Sequence, residues 1–427
     1  MTGLSWLPPP PDESAVRRRL ADMVEGEALR RRASADEIRT IYLFLTRKCN
    51  LGCQHCYIEG VGPRAKGVDF NLQTIRTLIE QALPHGLRKV KVSGGEPMVH
   101  KDFIEVMEYL GGCGLHELVL ETNGTLFKPD TVERLARLPK LSVFISLDHD
   151  SPEEHDRFRA KAGAFEQTAD VLRQLGRTEI DTVVTTTAYR SNYDRILRIV
   201  DLVLGWGIRR HRTLLNIHPL GNARSHLDNA ITLEECEELI GNLLRSPHFE
   251  AGRAYMTLPP ALMPLRHLNG VHTCGWGDSV LGILSNGDIS MCSASYDDPE
   301  MIGGNAFDAP LMDIWRSSPF FRELREVGAG QVKGVCGNCV FYAACRGVCK
   351  MSSWSHYGEK DAPYPLCQEI YNAGDFPAYA LADPERDCTY RRGVIASRRP
   401  EPPPTELHHF MKLARAELAA AARQQRP

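Results

Sequence analysis

The stretch CNLGCQHC, Cys49 to Cys56, comes shortly after the apolar run Ile41–Leu45, and its reading decides the fold. Four cysteines would close a tetrahedral metal site or a cubane cluster, whereas three leave one coordination position free for chemistry. Spaced C-x3-C-x2-C in a loop, Cys49, Cys53 and Cys56 can wrap three corners of a [4Fe–4S] cube, and Gly52 relaxes the backbone inside that tight turn. The same spacing suits a zinc site completed by a remote fourth ligand or by His55.

Outward from this loop, short β-like runs alternate with amphipathic stretches from residue 41 to about 230. Strands are expected at IYLFLT (41–46), KVKVSG (89–94), ELVLET (117–122), LSVFISLD (141–148), TVVTTTAY (182–189) and TLLNIHPL (213–220). The intervening stretches, such as LQTIRTLIEQAL and KDFIEVMEYLGG, carry helical apolar spacing, and Leu83 precedes a helix-ending Pro84. Six strand–helix units in order imply an α/β fold with a parallel sheet, open or partly closed as a barrel. Ligands in such folds sit at the C-terminal ends of strands, where Cys49, Gly94, Asn123 and Asp148 all fall.

The chain has 427 residues, too many for one simple core. Residues 1–40 read as an arm with an Arg-rich helix, 231–273 as a helical linker, 274–367 as a loop-rich cysteine domain, and 368–427 as a partly flexible extension. A net charge of −3 gives no bulk attraction to nucleic acid, and no run is apolar enough to span a bilayer. The N-terminus lacks the pattern of a secretory signal, so a cytoplasmic location is expected. Thirteen cysteines there point to metal or catalysis because they cluster, with seven between Cys274 and Cys367. Cys113 and Cys236 lie apart in helical stretches and read as small core residues.

After the second strand comes SGGEP, Ser93 to Pro97. Two glycines at a strand end admit a ligand close to the backbone, and Glu96 offers an acceptor to an amine. C-x3-C-x2-C after strand one paired with GGEP after strand two resembles the radical SAM superfamily. The resemblance implies a partial (β/α)6 TIM-like barrel. It also implies a [4Fe–4S] cluster on Cys49, Cys53 and Cys56 that binds S-adenosylmethionine (SAM) and cleaves it to a 5′-deoxyadenosyl radical. It further implies that Tyr57 lies near the adenine, that Gly94, Gly95, Glu96 and Pro97 hold the methionine amine, and that Asn123, Ser146, Asp148 and Arg159 contact the rest of SAM. HPLG, His218 to Gly221, would wall the adenine or the substrate.

Cys274-x12-Gly287-x4-Cys292, then Cys336-x2-Cys339-x5-Cys345-x3-Cys349, then Cys367 after seventeen residues, resembles the SPASM extension of the same superfamily. That resemblance implies two auxiliary [4Fe–4S] clusters, one on Cys336, Cys339, Cys345 and Cys367, the other on Cys274, Cys292 and Cys349. Some relatives add a cysteine where this chain has Leu268, so the second cluster is either open at one iron or closed by His272, His267, Asp278 or Cys388.

Auxiliary clusters beside a substrate imply an oxidative step: hydrogen abstraction, proton loss to a base, and electron transfer to a cluster, with an external flavodoxin- or ferredoxin-type donor. Asp148, Glu121, His218 and Tyr189 are the candidate bases. Ser293 stands where sulfatase-maturing relatives carry Asp, which sets that substrate aside. Only forty residues precede strand one, too few for a leader-binding domain. The first expectation is therefore an oxidoreductase making a small natural product such as a sugar or aminocyclitol. The second is a peptide maturase working with a separate leader-binding partner. A zinc-stabilised binding module without turnover is the rival of another class, and it leaves GGEP and SLD without a role.

Overall fold

The computed structural model describes residues 36–58, 69–215, 218–270, 274–295 and 298–391, together with Leu4, Trp6, Leu7, Val16 and Arg18. The expected N-terminal helix lies almost wholly outside these residues, as do the Pro-rich segment and helix expected after residue 391.

All six expected strands form: β1 (Thr40–Phe44), β2 (Lys89–Ser93), β3 (Glu117–Thr122), β4 (Leu141–Ser146), β5 (Asp181–Thr187) and β6 (Arg210–Leu214). They pair in parallel in chain order, beginning with Thr40 opposite Lys89. The sixth strand starts three residues before its expected place, because the alternation Arg210, Arg212, Leu214 reads as polar and hides a strand whose inner face carries charge.

Two more parallel strands extend this sheet. β7 (Ala254–Met256) joins β6 from the segment expected to be a helical linker, and β8 (Val280–Ile283) joins the free side of β1. Antiparallel β9 (Asp288–Ser290) and β10 (Ile302–Asn305) finish a ten-stranded sheet, ordered β10-β9-β8-β1-β2-β3-β4-β5-β6-β7.

One face of the sheet buries Ile41, Leu43, Val90, Val92, Leu118, Leu120, Val143 and Ile145 under the crossover helices. Those helices include α1 (Leu72–Ala82), α2 (Phe103–Gly111), α3 (Thr131–Ala136), α4 (Pro152–Arg159), α5 (Ala164–Leu175) and α6 (Ile196–Gly205). Apolar residues recur on one side of the longer ones, as Ile75, Leu78, Ile79 and Ala82 do on α1, so burial of that stripe drives their packing. Asn71 caps α1 by accepting the Thr74 N–H at 2.8 Å, and the helix stops before Pro84 as its sequence requires. Helix α7 (Leu233–Leu244), opened by a Thr232/Glu235 capping box, turns Ile240 and Leu243 into a second core with Val335, Phe341 and Tyr342. The described residues fall in one compact unit. No helix among the described residues is long and apolar enough to cross a membrane.

Candidate active site

The loop after β1 is fastened at both ends. Gly95 N–H donates to Thr46 O at 2.7 Å and Glu96 N–H to Lys48 O at 2.8 Å, so SGGEP lies directly against the approach to Cys49. A side chain could not fit there: a Cβ on Gly94 would sit 2.5 Å from Thr46 O, and one on Gly95 2.3 Å from Lys48 O. Gly94 also holds φ at +147°, outside the range of ordinary side chains. On the other flank, Gly52 N–H and Gln54 N–H donate to Arg159 O and Phe158 O at the end of α4.

Cys49, Leu51, Cys53 and Cys56 cluster together within this frame. The Cys49 sulfur accepts the Leu51 N–H at 3.4 Å and the Asn123 amide at 3.9 Å, and the Cys53 sulfur accepts Arg159 Nη1 at 3.5 Å. Burial pushes the Cys49 and Cys56 thiols up to about 12, so ligand formation must expel their protons. His55, the alternative zinc ligand, instead lies face to face with Phe158 at 4.8 Å, and Phe158 stacks on Tyr189 at 3.8 Å. Burial lowers the His55 imidazole to about 4 and keeps it neutral.

Glu96 is buried, and its carboxylate already accepts the Met98 N–H at 3.1 Å, the Thr122 hydroxyl at 2.7 Å and the Asn123 N–H at 2.8 Å. Pro97 starts the short turn that aims it. Burial raises this carboxyl to about 7 despite those donors. Ser146 ends β4 in register with Thr185.

Three of the four candidate bases are committed elsewhere. Asp148 is fully buried and forms a two-pronged ion pair with Arg159, whose Nε lies 2.6 Å from Oδ2. Burial would raise its carboxyl, but Arg159 outweighs burial and holds it below the usual range. Tyr189 is buried in the ring stack with its hydroxyl turned to Asp148 O at 3.5 Å. Glu121 sits between Lys91 and Arg212, which outweigh its burial and oppose protonation. His218 stands at the edge of Tyr57, 6.3 Å between ring centroids, with Ser355 Oγ 3.5 Å from its Nδ1. The turn it opens, HPLG, rests on the cysteine loop: a Gly221 Cβ would meet Tyr57 C at 2.5 Å.

Tyr57 reaches further than an adenine neighbour would. Its hydroxyl bonds Ser293 Oγ at 2.6 Å, which ties the first cysteine loop to the residue after Cys292. Sequence gave no signal for this bridge across 236 positions. None of the thirteen cysteines is in a disulfide. Cys274 and Cys292 act electrostatically on each other and on Cys349, and gather where Gly282 leaves room for the Cys292 backbone at 3.0 Å. Burial would raise the Cys349 thiol, but a hydrogen bond and the charge of His218 bring it down to about 7.

Of the possible fourth partners, His267 packs on Phe249, Asp278 pairs with Arg346, and Cys388 is buried in the second core. His272 lies outside the described residues. Cys336, Cys339, Cys345 and Cys367 form the remaining group and together line an apolar cavity with Phe341 and Tyr364. Thiols held in no disulfide around an apolar hollow suit an iron–sulfur cluster. Cys236 is buried in the second core, and Cys113 is half-buried at the end of α2.

Residues 43–203 match the radical SAM superfamily model, and residues 274–340 match SPASM, the iron-sulfur cluster-binding domain. The chain belongs to the radical SAM superfamily and carries a SPASM domain: its first domain binds SAM and a [4Fe–4S] cluster, its second auxiliary iron–sulfur clusters. It is 28% identical over 348 residues to the AdoMet-dependent heme synthase of Oleidesulfovibrio alaskensis, covering 77% of this chain and 87% of that protein. It is 29% identical over 334 residues to the mycofactocin maturase MftC of Mycolicibacterium smegmatis, covering 77% and 82%. The PqqA peptide cyclase of Methylocella silvestris is 22% identical over 335 residues, 76% of this chain and 85% of that one. Among solved structures, Streptococcus suis SuiB bound to its precursor peptide SuiA superposes with a TM-score of 0.65 at 17% identity, covering 82% of this chain and 80% of that one.

Proposed function

We propose that this protein is a peptide maturase that oxidises a ribosomally made precursor. The observation that carries the oxidative part is the set of three separate thiol groups in one compact unit, two beyond the one that SAM cleavage needs. The relatives shift weight from the sugar or aminocyclitol expectation to the peptide: one is a maturase by name, another a peptide cyclase, and a fold neighbour holds a precursor peptide. The heme synthase keeps a small-molecule substrate as the second reading.

In this reading Cys49, Cys53 and Cys56 hold the SAM-binding cluster. Cys336, Cys339, Cys345 and Cys367 hold one auxiliary cluster, and Cys274, Cys292 and Cys349 the other. When bound, SAM and the clusters supply hydrogen-atom abstraction and an electron sink. The chain's part is to orient and shield. Gly94, Gly95 and Glu96 cradle the methionine end, Asn123 and Ser146 line the strand ends, and the Arg159–Asp148 pair fixes the cysteine loop from behind. Tyr57 and HPLG wall the adenine side. His218, beside Tyr57 and hydrogen-bonded to the Cys349 thiol, is the candidate base that takes the proton from substrate. An external flavodoxin- or ferredoxin-type protein delivers the reducing electron.

The test is anaerobic reconstitution, reduction, and incubation with SAM and short peptides encoded beside the gene. Formation of 5′-deoxyadenosine with loss of two hydrogens from a peptide is the expected result. 5′-Deoxyadenosine without any change in the peptides, but with turnover of a porphyrin, would replace this reading with the second.

A further inference from the structure

The inner face of the sheet holds two layers of charge, and they differ. The lower layer is balanced: Lys89 pairs with Glu117 at 2.8 Å, and Arg210 pairs with Asp181, which also accepts the Ser142 hydroxyl at 3.0 Å. In the layer above, nearer the cysteine loops, Lys91 lies 3.2 Å from Glu121 and Arg212 lies 3.5 Å from the same carboxylate. Two cations share one anion.

The second of these pairs also shows that the sheet curves. Arg212 is on β6 and Glu121 on β3, with β4 and β5 between them. On a flat sheet three inter-strand spacings would put those backbones about 14 Å apart, beyond the reach of the two side chains. They meet because the strands bend round a lumen. Aromatic rings line it beside the cations: Lys91 Nζ lies 3.9 Å over Tyr42, and the Arg212 guanidinium 4.7 Å over Phe144.

Lys91 has further company, since Cys274 and Cys292 lie within its electrostatic reach. Arg212 does not. Its fork of donors finds a single carboxylate oxygen at the long limit of a hydrogen bond, and its buried Nε has no partner. Thr185, opposite Arg212 in register, also carries a buried hydroxyl without a partner. The Arg212 side chain keeps 23% of its surface exposed, but its buried Nε is left unmatched at a cost in free energy that an incoming anion would recover. Carboxylate is a planar anion that fits a guanidinium fork.

We propose that Arg212, assisted by Lys91 and Thr185, anchors a carboxylate of the substrate inside the barrel lumen, beside the rings of Tyr42 and Phe144. The proposal rests on the lumen being the substrate chamber of the maturase, and it narrows the substrate to one presenting an acidic group near an apolar or aromatic one.

The test measures calorimetric binding to the reconstituted, SAM-loaded full chain. The probes are N-acetylphenylalanine, its C-terminal amide, and N-acetylglutamyl-phenylalaninamide, which offers a carboxylate from a side chain only. The free acid is expected to bind at least tenfold more tightly than the amide. The third probe reports the source: if it matches the acid, the anchored group is a side chain, and if it matches the amide, the group is a chain terminus. Arg212→Gln should erase the preference for acid, and Lys89→Gln, in the balanced layer below, should leave it intact. Glu121→Gln removes the competing anion and should tighten acid binding several-fold, a gain that a purely structural role for these residues would not produce. Equal binding of acid and amide to the wild type, or an undiminished preference in a folded Arg212→Gln protein, would overturn the proposal. 5′-Deoxyadenosine formation and peptide oxidation, followed on the same samples, report separately on the maturase reading.

Discussion

Glu96 shows how much a single buried group can reveal. Its carboxyl, moved by burial from an ordinary 4.5 to about 7, stays protonated in the folded chain where the unfolded chain has already ionised. Stability from this group is therefore present below about pH 4.5 and is lost as pH rises toward 7. A methionine amine placed against it would favour the ionised form. SAM binding by the wild type should thus weaken as pH falls below about 7, by up to roughly tenfold per pH unit. Glu96→Gln should bind SAM more weakly than wild type at pH above 7, with the gap closing in acid, where protonated Glu96 and Gln present alike. Equilibrium binding across this range checks it, and a gap that does not change with pH would remove Glu96 from the amine site. The cysteine and GGEP residues were legible in sequence because ligands and glycines leave type and spacing behind. Arg212 was not: an arginine in a strand alternation looks like a solvated face until the sheet is seen to curve around it.

At the scale of elements, the site is a junction of loops held by backbone contact. The β1 and β2 loops touch through Gly95, whose missing side chain lets Lys48 O approach. Gly95→Ala forces the two loops apart and should cost about 1–3 kcal/mol of stability, as overpacking does. The same separation should lower iron retention by Cys49, Cys53 and Cys56 while leaving the auxiliary iron in place. Thermal unfolding and iron analysis of the variant test both, and a variant with wild-type melting and full iron would show that the contact is incidental. The six strand–helix units could be read in advance because the longer helices show a single apolar stripe and the core strands are short runs rich in β-branched and apolar residues bounded by polar ones. β7 and β8 could not, since runs of three and four residues are too short for periodicity to speak. Only pairing with β6 and β1 makes them strands.

For the molecule as a whole, the cysteine-rich segment is part of the sheet. β8 follows Cys274 by a few residues and lies beside β1, so the chain that carries the auxiliary thiols also closes one flank of the strand leading to the SAM loop. The motif spacing gave an expected boundary near residue 274 and carried no information about this insertion. Cys336, Cys345 and Cys367 are built into the second apolar core, whereas Cys49, Cys53 and Cys56 sit in a loop braced by backbone hydrogen bonds with Gly95, Glu96, Phe158 and Arg159. Metal therefore supports the two regions unequally. The wild type should hold roughly twelve iron atoms per chain, the content of three cubanes. Cys53→Ala should lose about four of them and its SAM cleavage, with little change in melting, because the loop keeps its braces. Cys339→Ala should also lose about four but lower the melting temperature by on the order of 10 °C, because cluster binding contributes folding free energy where the thiols are the core. Iron and sulfide analysis with calorimetry on both variants decides the matter. If Cys339→Ala loses its iron but melts as the wild type does, the second core does not depend on its cluster, and the cavity among its thiols stands open at no cost to the fold.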